Sequence, residues 1–361
     1  MPQNKHKRIL MVGSARESGG GVSSVIRLME KMPLFSSDGG YEMYWLGTQI
    51  QRNYLWKMWY AIKAAVIAFF IMWRYDIVHF HTTPDKLGLL IQMPELLLAK
   101  LWRKKVILHI HVGNQLKTQK NGLFVWCLKK ANLVVLLAKK WERLFKNYYE
   151  EVDVLTTVLY NPVERNDDVN FDNRKKNIIM MAYFNENKGT DVLLKSLAIL
   201  LSSRKKSGQY DKNALNGWSV YMLGNGEVER YKQMAHDLGL ENIVTFTGYV
   251  TGKERDAYLN SASIYCMCSY EEGFPMVVLE SWMNGIAVVT TPVGGLPDVI
   301  EEGKNCLTFD FGDSEGLARQ LQHMMNDSDL RRNMVQYSRK FVEEHFSMAK
   351  ANSELERIYR C

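Results

Sequence analysis

Glu272 and Glu280 stand in the string EEGFPMVVLE with seven residues between them. Ionised carboxylates accept hydrogen bonds and repel anions, so their targets are hydroxyl groups. Between them lie Gly273, Phe274, Pro275, Met276 and Val277, and Pro275 sits where a helix would begin. The N–H groups around Phe274 to Val277 then have no intrahelical partner and make a ready phosphate site. A phosphate site flanked by two hydroxyl acceptors suits a sugar joined to a nucleoside diphosphate. Either glutamate alone reads equally well as a solvated surface acid. The whole string does not.

The elements that must hold these groups follow from the flanking residues. Ser263 to Ser269 is a short apolar run with the look of a strand, and Tyr270 to Phe274 is a polar loop. The helix should pass through Met276, Val277, Leu279 and Met283 and stop at Gly285, before a second strand at Ala287 to Thr291. The expected site therefore lies beyond the carboxyl end of a strand, at the start of a helix.

The same grammar recurs along the chain. Arg8 to Gly13 reads as a strand, Ser14 to Gly21 as a Gly-rich loop, and Val22, Val25, Ile26 and Met29 as a helix face. Gly19, Gly20 and Gly21 permit close approach to a phosphate or sugar, although the loop matches neither a Walker sequence nor G-x-G-x-x-G. A tight strand-to-helix turn is an equal reading. Two His-x-His runs, Asp76 to His81 and Val106 to His111, place His79 with His81 and His109 with His111 on single strand faces. No carboxylate motif accompanies them, so we expect no metal. Further strands are expected at Leu133 to Leu137, Thr157 to Pro162, Asn177 to Ala182, Trp218 to Gly226 and Asn242 to Val250. Lys188 follows the strand at Asn177, in the loop Asn185 to Gly189. Ser202 to Gly217 reads as a polar surface insertion, and Leu317 to Tyr337 and Phe341 to Tyr359 as helices.

With 361 residues, 47% of them hydrophobic, the chain can build two sizeable cores. Residues 1–165 carry 24 Lys and Arg against 12 Asp and Glu, and the remainder 22 against 27. A basic half and an acidic half imply two domains with different partners. The five scattered cysteines, Cys127, Cys266, Cys268, Cys306 and Cys361, read as free thiols of a reducing compartment. Ile9 to Val12 is too short for a signal core. The run Leu55 to Trp73 contains Lys57 and Lys63, and its unbroken part is about half of the roughly 20 residues a span needs, so no transmembrane helix is expected. Its six aromatics fit a core-facing helix, or an interfacial helix on an anionic membrane with the basic run Arg103, Lys104, Lys105 nearby.

The string EEGFPMVVLE, followed by Gly-Ile-Ala and TPVGG, resembles glycosyltransferase family 4, retaining enzymes of GT-B fold. The resemblance implies that Glu272 lies by the donor sugar, that Glu280 holds the ribose hydroxyls, and that Gly273 to Met276 give N–H groups to the diphosphate. It also implies that Lys188 meets the diphosphate, that His111 lines the cleft near the sugar, and that Gly19 to Gly21 let the first domain reach the donor. Gly248 to Val250 would seat the base, with Gly294 and Gly295 facing the same crevice. The family's Gly-Arg pair before Lys188 is replaced by Ala182 and Tyr183, and Val112 separates His111 from Gly113. Arg16 could stand in for the missing arginine.

The expected fold class is α/β: GT-B, two doubly wound Rossmann-like domains facing a cleft. Residues 1–165 would form the acceptor-side domain, 166–176 the linker and 177–340 the nucleotide-sugar domain. Residues 341–361 would be a helix crossing back to the first domain. The activity implied is metal-independent hexosyl transfer, with retention, from a nucleotide-diphosphate donor to an acceptor hydroxyl, plausibly of a lipid-linked or cell-surface glycan precursor. Catalysis would fall to Glu272, Lys188 and His111. No cofactor is implied beyond the donor substrate. The expected location is cytoplasmic, peripheral on the inner face of the membrane. A nucleotide-sugar 2-epimerase and a non-catalytic nucleotide-sugar-binding subunit are the alternatives. Nucleic-acid binding lacks any motif.

Overall fold

The computed structural model describes residues 6–50, 53–167, 169, 174–202, 215 and 217–360. Most of the expected linker core, most of the insertion after Ser202, and Cys361 lie outside the described residues. The chain divides into two units, one of Met1–Val163 with Phe346–Cys361 and the other of Glu164–His345.

The first unit holds a parallel sheet of β1 (Lys7–Ser14), β2 (Tyr41–Gln49), β3 (Ile77–Thr82), β4 (Lys105–Ile110), β5 (Leu133–Leu136) and β6 (Leu155–Val158), ordered β2-β1-β3-β4-β5-β6. Its central strands are buried on both faces, as Ile9, Leu10, Met11, Val78 and Ile107 show, which explains their near-continuous apolar runs. β2 was not among the expected strands. β6 comes earlier than Thr157 to Pro162, and β4 stops at Ile110, leaving His111 just past its end.

The second unit repeats the plan with β7 (Asn177–Met181), β8 (Ser219–Leu223), β9 (Val244–Gly248), β10 (Ile264–Met267), β11 (Ala287–Thr290) and β12 (Leu307–Thr308), ordered β12-β11-β10-β7-β8-β9 and parallel throughout. Its core joins Ile178, Met180, Val220, Ile264 and Val289 of the sheet to Leu193, Leu197, Leu317 and Leu321 of the flanking helices. In a doubly wound sheet, ligands bind outside the carboxyl ends of the strands where the strand order reverses. Here the reversal falls between β7 and β10, the two strands that feed the loops of Lys188 and Glu272.

The C-terminal helices run Ser314–Asn326, Ser328–Phe346 and Met348–Arg360. The final break therefore falls at Ser347, not between Tyr337 and Phe341. The last helix packs within the first unit, where Asn352 Oδ1 accepts from the Leu34 N–H (2.9 Å) and Tyr359 bonds His79 (2.9 Å).

The helix Tyr54–Ile71 corrects the core-facing expectation. Only Ala64 and Ala68 are buried along it, while Leu55, Trp59, Ile62, Val66, Phe69 and Phe70 are exposed. With its short extension to Arg74 it is 21 residues, and by length and composition it is long and apolar enough to cross a membrane. Lysines inside a helix do not end it, so counting only the unbroken apolar run undersized the element.

Candidate active site

The loop after β7 is locked onto the loop after β10. The Tyr270 N–H donates to Asn187 C=O (2.7 Å) and the Asn187 amide donates to Glu271 C=O (3.2 Å). Asn185 caps the short turn by accepting from the Lys188 N–H (3.1 Å). Gly189, at φ +62°, ends that turn against Cys268, whose carbonyl oxygen would lie 2.2 Å from any Cβ placed there. Only glycine fits that approach. The result is a direct ion pair, Lys188 Nζ to Glu272 Oε1 at 2.6 Å, with side-chain exposures of 24% and 18%. Sequence reasoning named both residues and assigned them different targets. The structure brings them together.

The helix after that loop is Met276–Met283, with Pro275 at the N-cap and no side-chain cap. Among the described residues, the N–H groups of Met276 and Val277 find no protein acceptor, and both residues are part-exposed. Pro275 is thus the capping residue and not the first helical residue. Gly273 C=O accepts from Gly295 N–H (2.9 Å), which ties the TPVGG turn to this loop. Gly294, at φ +66°, would push a Cβ to 2.8 Å from Glu272 O. Gly285, at φ +67°, follows the helix in the left-handed conformation, as its cap requires.

Glu280 keeps 26% of its side-chain exposure and pairs through Oε2 with Arg255 of the helix Gly252–Ser261. Loss of solvation raises its pKa, and Arg255 works against that rise. No protein donor reaches Glu280 Oε1 or Glu272 Oε2 among the described residues, so each carboxylate keeps one oxygen for a hydroxyl. Arg255 was missed. A contact between two helices 25 residues apart leaves no local signal in a sequence.

Gly248 closes β9 at φ +76° with open space where a Cβ would stand, and its carbonyl accepts from Gly224 N–H (2.8 Å). Gly224 and Gly226 prove structural: a Cβ would meet Ala182 O at 1.7 Å and Phe184 O at 2.3 Å. Tyr183, in place of the expected arginine, is 64% exposed.

The remaining expected residues belong to the first unit. Gly20 is the N-cap of the helix Gly21–Glu30 at φ 102°, Gly19 precedes it, and a Cβ on Gly21 would meet nothing within 4 Å. Arg16, the cation that could stand in for the missing arginine, makes a two-point ion pair with Glu30, and its guanidinium lies over Trp45 (4.9 Å). His111 bonds His81, Nε2 to Nδ1 at 2.7 Å, and burial holds its pKa down to about 3.

Residues 164–341 match the family described as glycosyl transferases group 1. That match spans nearly all of the unit with Lys188, Glu272 and Glu280. The lipopolysaccharide core biosynthesis glycosyltransferase LpsE of Rhizobium meliloti is 29% identical over 171 residues, 47% of this chain and 45% of that protein. A Campylobacter jejuni alpha-1,4-N-acetyl-D-galactosaminyltransferase, named for a diNAcBac-PP-undecaprenol-linked glycan, is 27% identical over 53% of this chain and 50% of its own. The chain thus spans about half the length of these relatives. Among solved structures, Anabaena Alr3699/HepE with UDP and glucose gives a TM-score of 0.73 at 16% identity, over 98% of this chain and 100% of that one. Sucrose-phosphate synthase of Thermosynechococcus elongatus gives 0.77 at 16% identity, over 98% of both. The fold is GT-B, as the likeness to these solved structures and the two parallel six-stranded sheets agree.

Proposed function

We propose that the chain is a retaining hexosyltransferase of glycosyltransferase family 4, taking a sugar from a nucleoside-diphosphate donor to an acceptor hydroxyl. One observation carries the reading: Lys188 of the loop after β7 pairs with Glu272 of the loop after β10 at the strand-order reversal, and the latter loop leads into a helix whose first N–H groups lack protein acceptors among the described residues. The Met276 and Val277 N–H groups and Lys188 stabilise the diphosphate as it leaves, charge developing where fixed dipoles already point. Glu272 accepts from the sugar hydroxyls and Glu280 Oε1 from the ribose. Protein dipoles and a lysine supply the positive charge at the diphosphate, so transfer proceeds without a metal there. The family resemblance gives His111 and Gly19 to Gly21 of the first unit roles toward the donor, and Gly248 one at the base.

The solved relative bound to UDP and glucose makes UDP-sugars the first donors to test. The undecaprenol-linked substrate in the Campylobacter protein's name supports a lipid-linked acceptor, and the lipopolysaccharide role of LpsE a cell-surface glycan. A thermal-shift screen of UDP-, GDP- and ADP-sugars should give one base that raises Tm, and turnover should follow with that donor. Lys188→Ala and Glu272→Ala should each cut kcat/KM at least about 100-fold. Parent turnover left unchanged by both changes overturns the site.

The chain is also proposed to work in the cytoplasm, at the inner face of an anionic bilayer. The exposed helix Tyr54–Ile71 packs beside Lys86–Leu101, which adds exposed Leu87, Leu90, Leu97 and Leu101 and then Trp102. Lys104 Nζ donates to Trp73 C=O (2.9 Å), setting the basic run at the edge of this apolar plate. Apolar side chains in the acyl boundary with cations at the headgroups is the interfacial arrangement. The parent should float with phosphatidylglycerol vesicles, and Trp59→Ser/Phe69→Ser should not. A parent that stays in the aqueous layer at every salt concentration removes this part of the reading.

A further inference from the structure

Strand alternation puts His79 and His81 on one face of β3, and the parallel register sets His81 directly beside His109 on β4. The three rings lie together, with centroids 4.7 Å apart for His79–His81, 5.0 Å for His81–His109 and 5.4 Å for His79–His109. One nitrogen from each lies within 4.8 Å of the other two. His79 and His109 have 0% exposure and His81 3%.

The hydrogen bonding of this cluster is incomplete in a particular way. His109 has neither ring nitrogen bonded, and His79 lacks a partner at Nε2. A neutral imidazole carries one N–H and one lone pair, so His109 leaves both a donor and an acceptor unmet in a site closed to solvent. Such groups cost about 1–3 kcal/mol each and require an explanation. The Nδ1 atoms of His79 and His81, by contrast, are engaged. His79 Nδ1 bonds Tyr359 Oη (2.9 Å) and His81 Nδ1 bonds His111 Nε2 (2.7 Å). Metal-binding histidines show this division, one nitrogen on the ion and the other on a partner that fixes the tautomer. The Met11 thioether sulfur lies 2.9 Å from His81 Nε2, a soft donor beside the same point.

We propose that His79, His81 and His109 form a buried site for one transition-metal ion of the zinc type, distinct from the donor site in the other unit. Zn–N bonds of about 2.0–2.1 Å require the nitrogens to close to roughly 3.4 Å, which ring rotation in broad χ2 wells and a small shift supply. An ion there would hold His81 with Nδ1–H toward His111 Nε2, and so set the tautomer and plane of His111. Binding at this site stands whether or not the transferase reading does.

The test uses full-length protein without a histidine tag, dialysed against metal-free buffer and titrated with Zn²⁺ or Co²⁺ alone. Expected are one equivalent bound and, with Co²⁺, the intense visible absorption of a four-coordinate site. X-ray absorption on the parent should count three nitrogen neighbours. His109→Leu and His79→Gln should each weaken binding at least 100-fold, and His111→Gln should retain it. A parent that takes up no stoichiometric metal, or binding that survives both ligand changes, overturns the proposal. If the ligand variants fail to fold, the nitrogen count on the parent decides alone.

Discussion

Glu95 is fully buried in the helix Lys86–Leu101, with neither carboxylate oxygen bonded, and burial pushes its pKa up to about 7. The folded chain therefore keeps this proton where the unfolded chain has lost it. The stabilisation is complete below about pH 4.5 and is lost as pH rises to about 7, at about 1.4 kcal/mol per pH unit. Glu95→Gln should remove that slope, seen as a wild-type-minus-variant difference in urea unfolding from pH 4.5 to 8. The buried histidines act in the opposite sense, their stabilisation being present above about 6.5 and lost as pH falls toward 3. At the candidate site, Arg255→Gln removes the charge that holds the Glu280 pKa down. Donor KM in that variant should climb at a higher pH than in the parent as the solution is acidified, a shift read from KM–pH profiles. Glu272 and Glu280 stood out only through the whole string EEGFPMVVLE around them, and Lys188 only through the family resemblance. Arg255 and the pairing of Lys188 with Glu272 were not, since both are contacts made only after two distant loops or helices meet.

Among the elements, strands buried on both faces and the strand–loop–helix unit around Glu272 could be read from apolar runs bounded by turn residues. β2 escaped because YEMYWLGTQ mixes polar and aromatic residues without a continuous apolar block. The helix Tyr54–Ile71 was legible as a helix, but a segment apolar nearly all round does not reveal which side meets the protein. Its two buried alanines show that the small residues, not the large ones, face inward. Glycine roles divide in the same way. Gly285 declared itself as a helix stop, whereas Gly224 and Gly294 acquire their meaning from backbones that approach from elsewhere. Gly224→Ala should destabilise the protein by at least about 2 kcal/mol in chemical unfolding. Gly294→Ala should instead raise donor KM by about tenfold or more, because its Cβ pushes on the Glu272 carbonyl rather than on the core.

For the molecule as a whole, two repeats of one α/β plan were readable, and so was the imbalance of charge between the halves. The resemblance implied a return of residues 341–361 to the first unit, which takes in Phe346–Cys361, while the break at Ser347 had no sequence signal, since polar residues run through both helices. The basic half should make vesicle association fall as salt rises past about 0.1 M, where screening shortens to about 10 Å, and the apolar plate should leave a residual that salt does not remove. Flotation across a salt series measures both parts.

The pairing of Ile77 with Lys105 and of Thr82 with Ile110 does more than join two strands. Imidazole alternates with an aromatic side chain along β3 and stands between aliphatic ones at His109 of β4, so an offset of a single position in either would carry imidazole through the sheet and bring Phe80 or Leu108 to the other side. The nitrogen-rich patch thereby acts as a gauge of alignment, a penalty on misthreaded chains that a wholly greasy pair of strands could not impose.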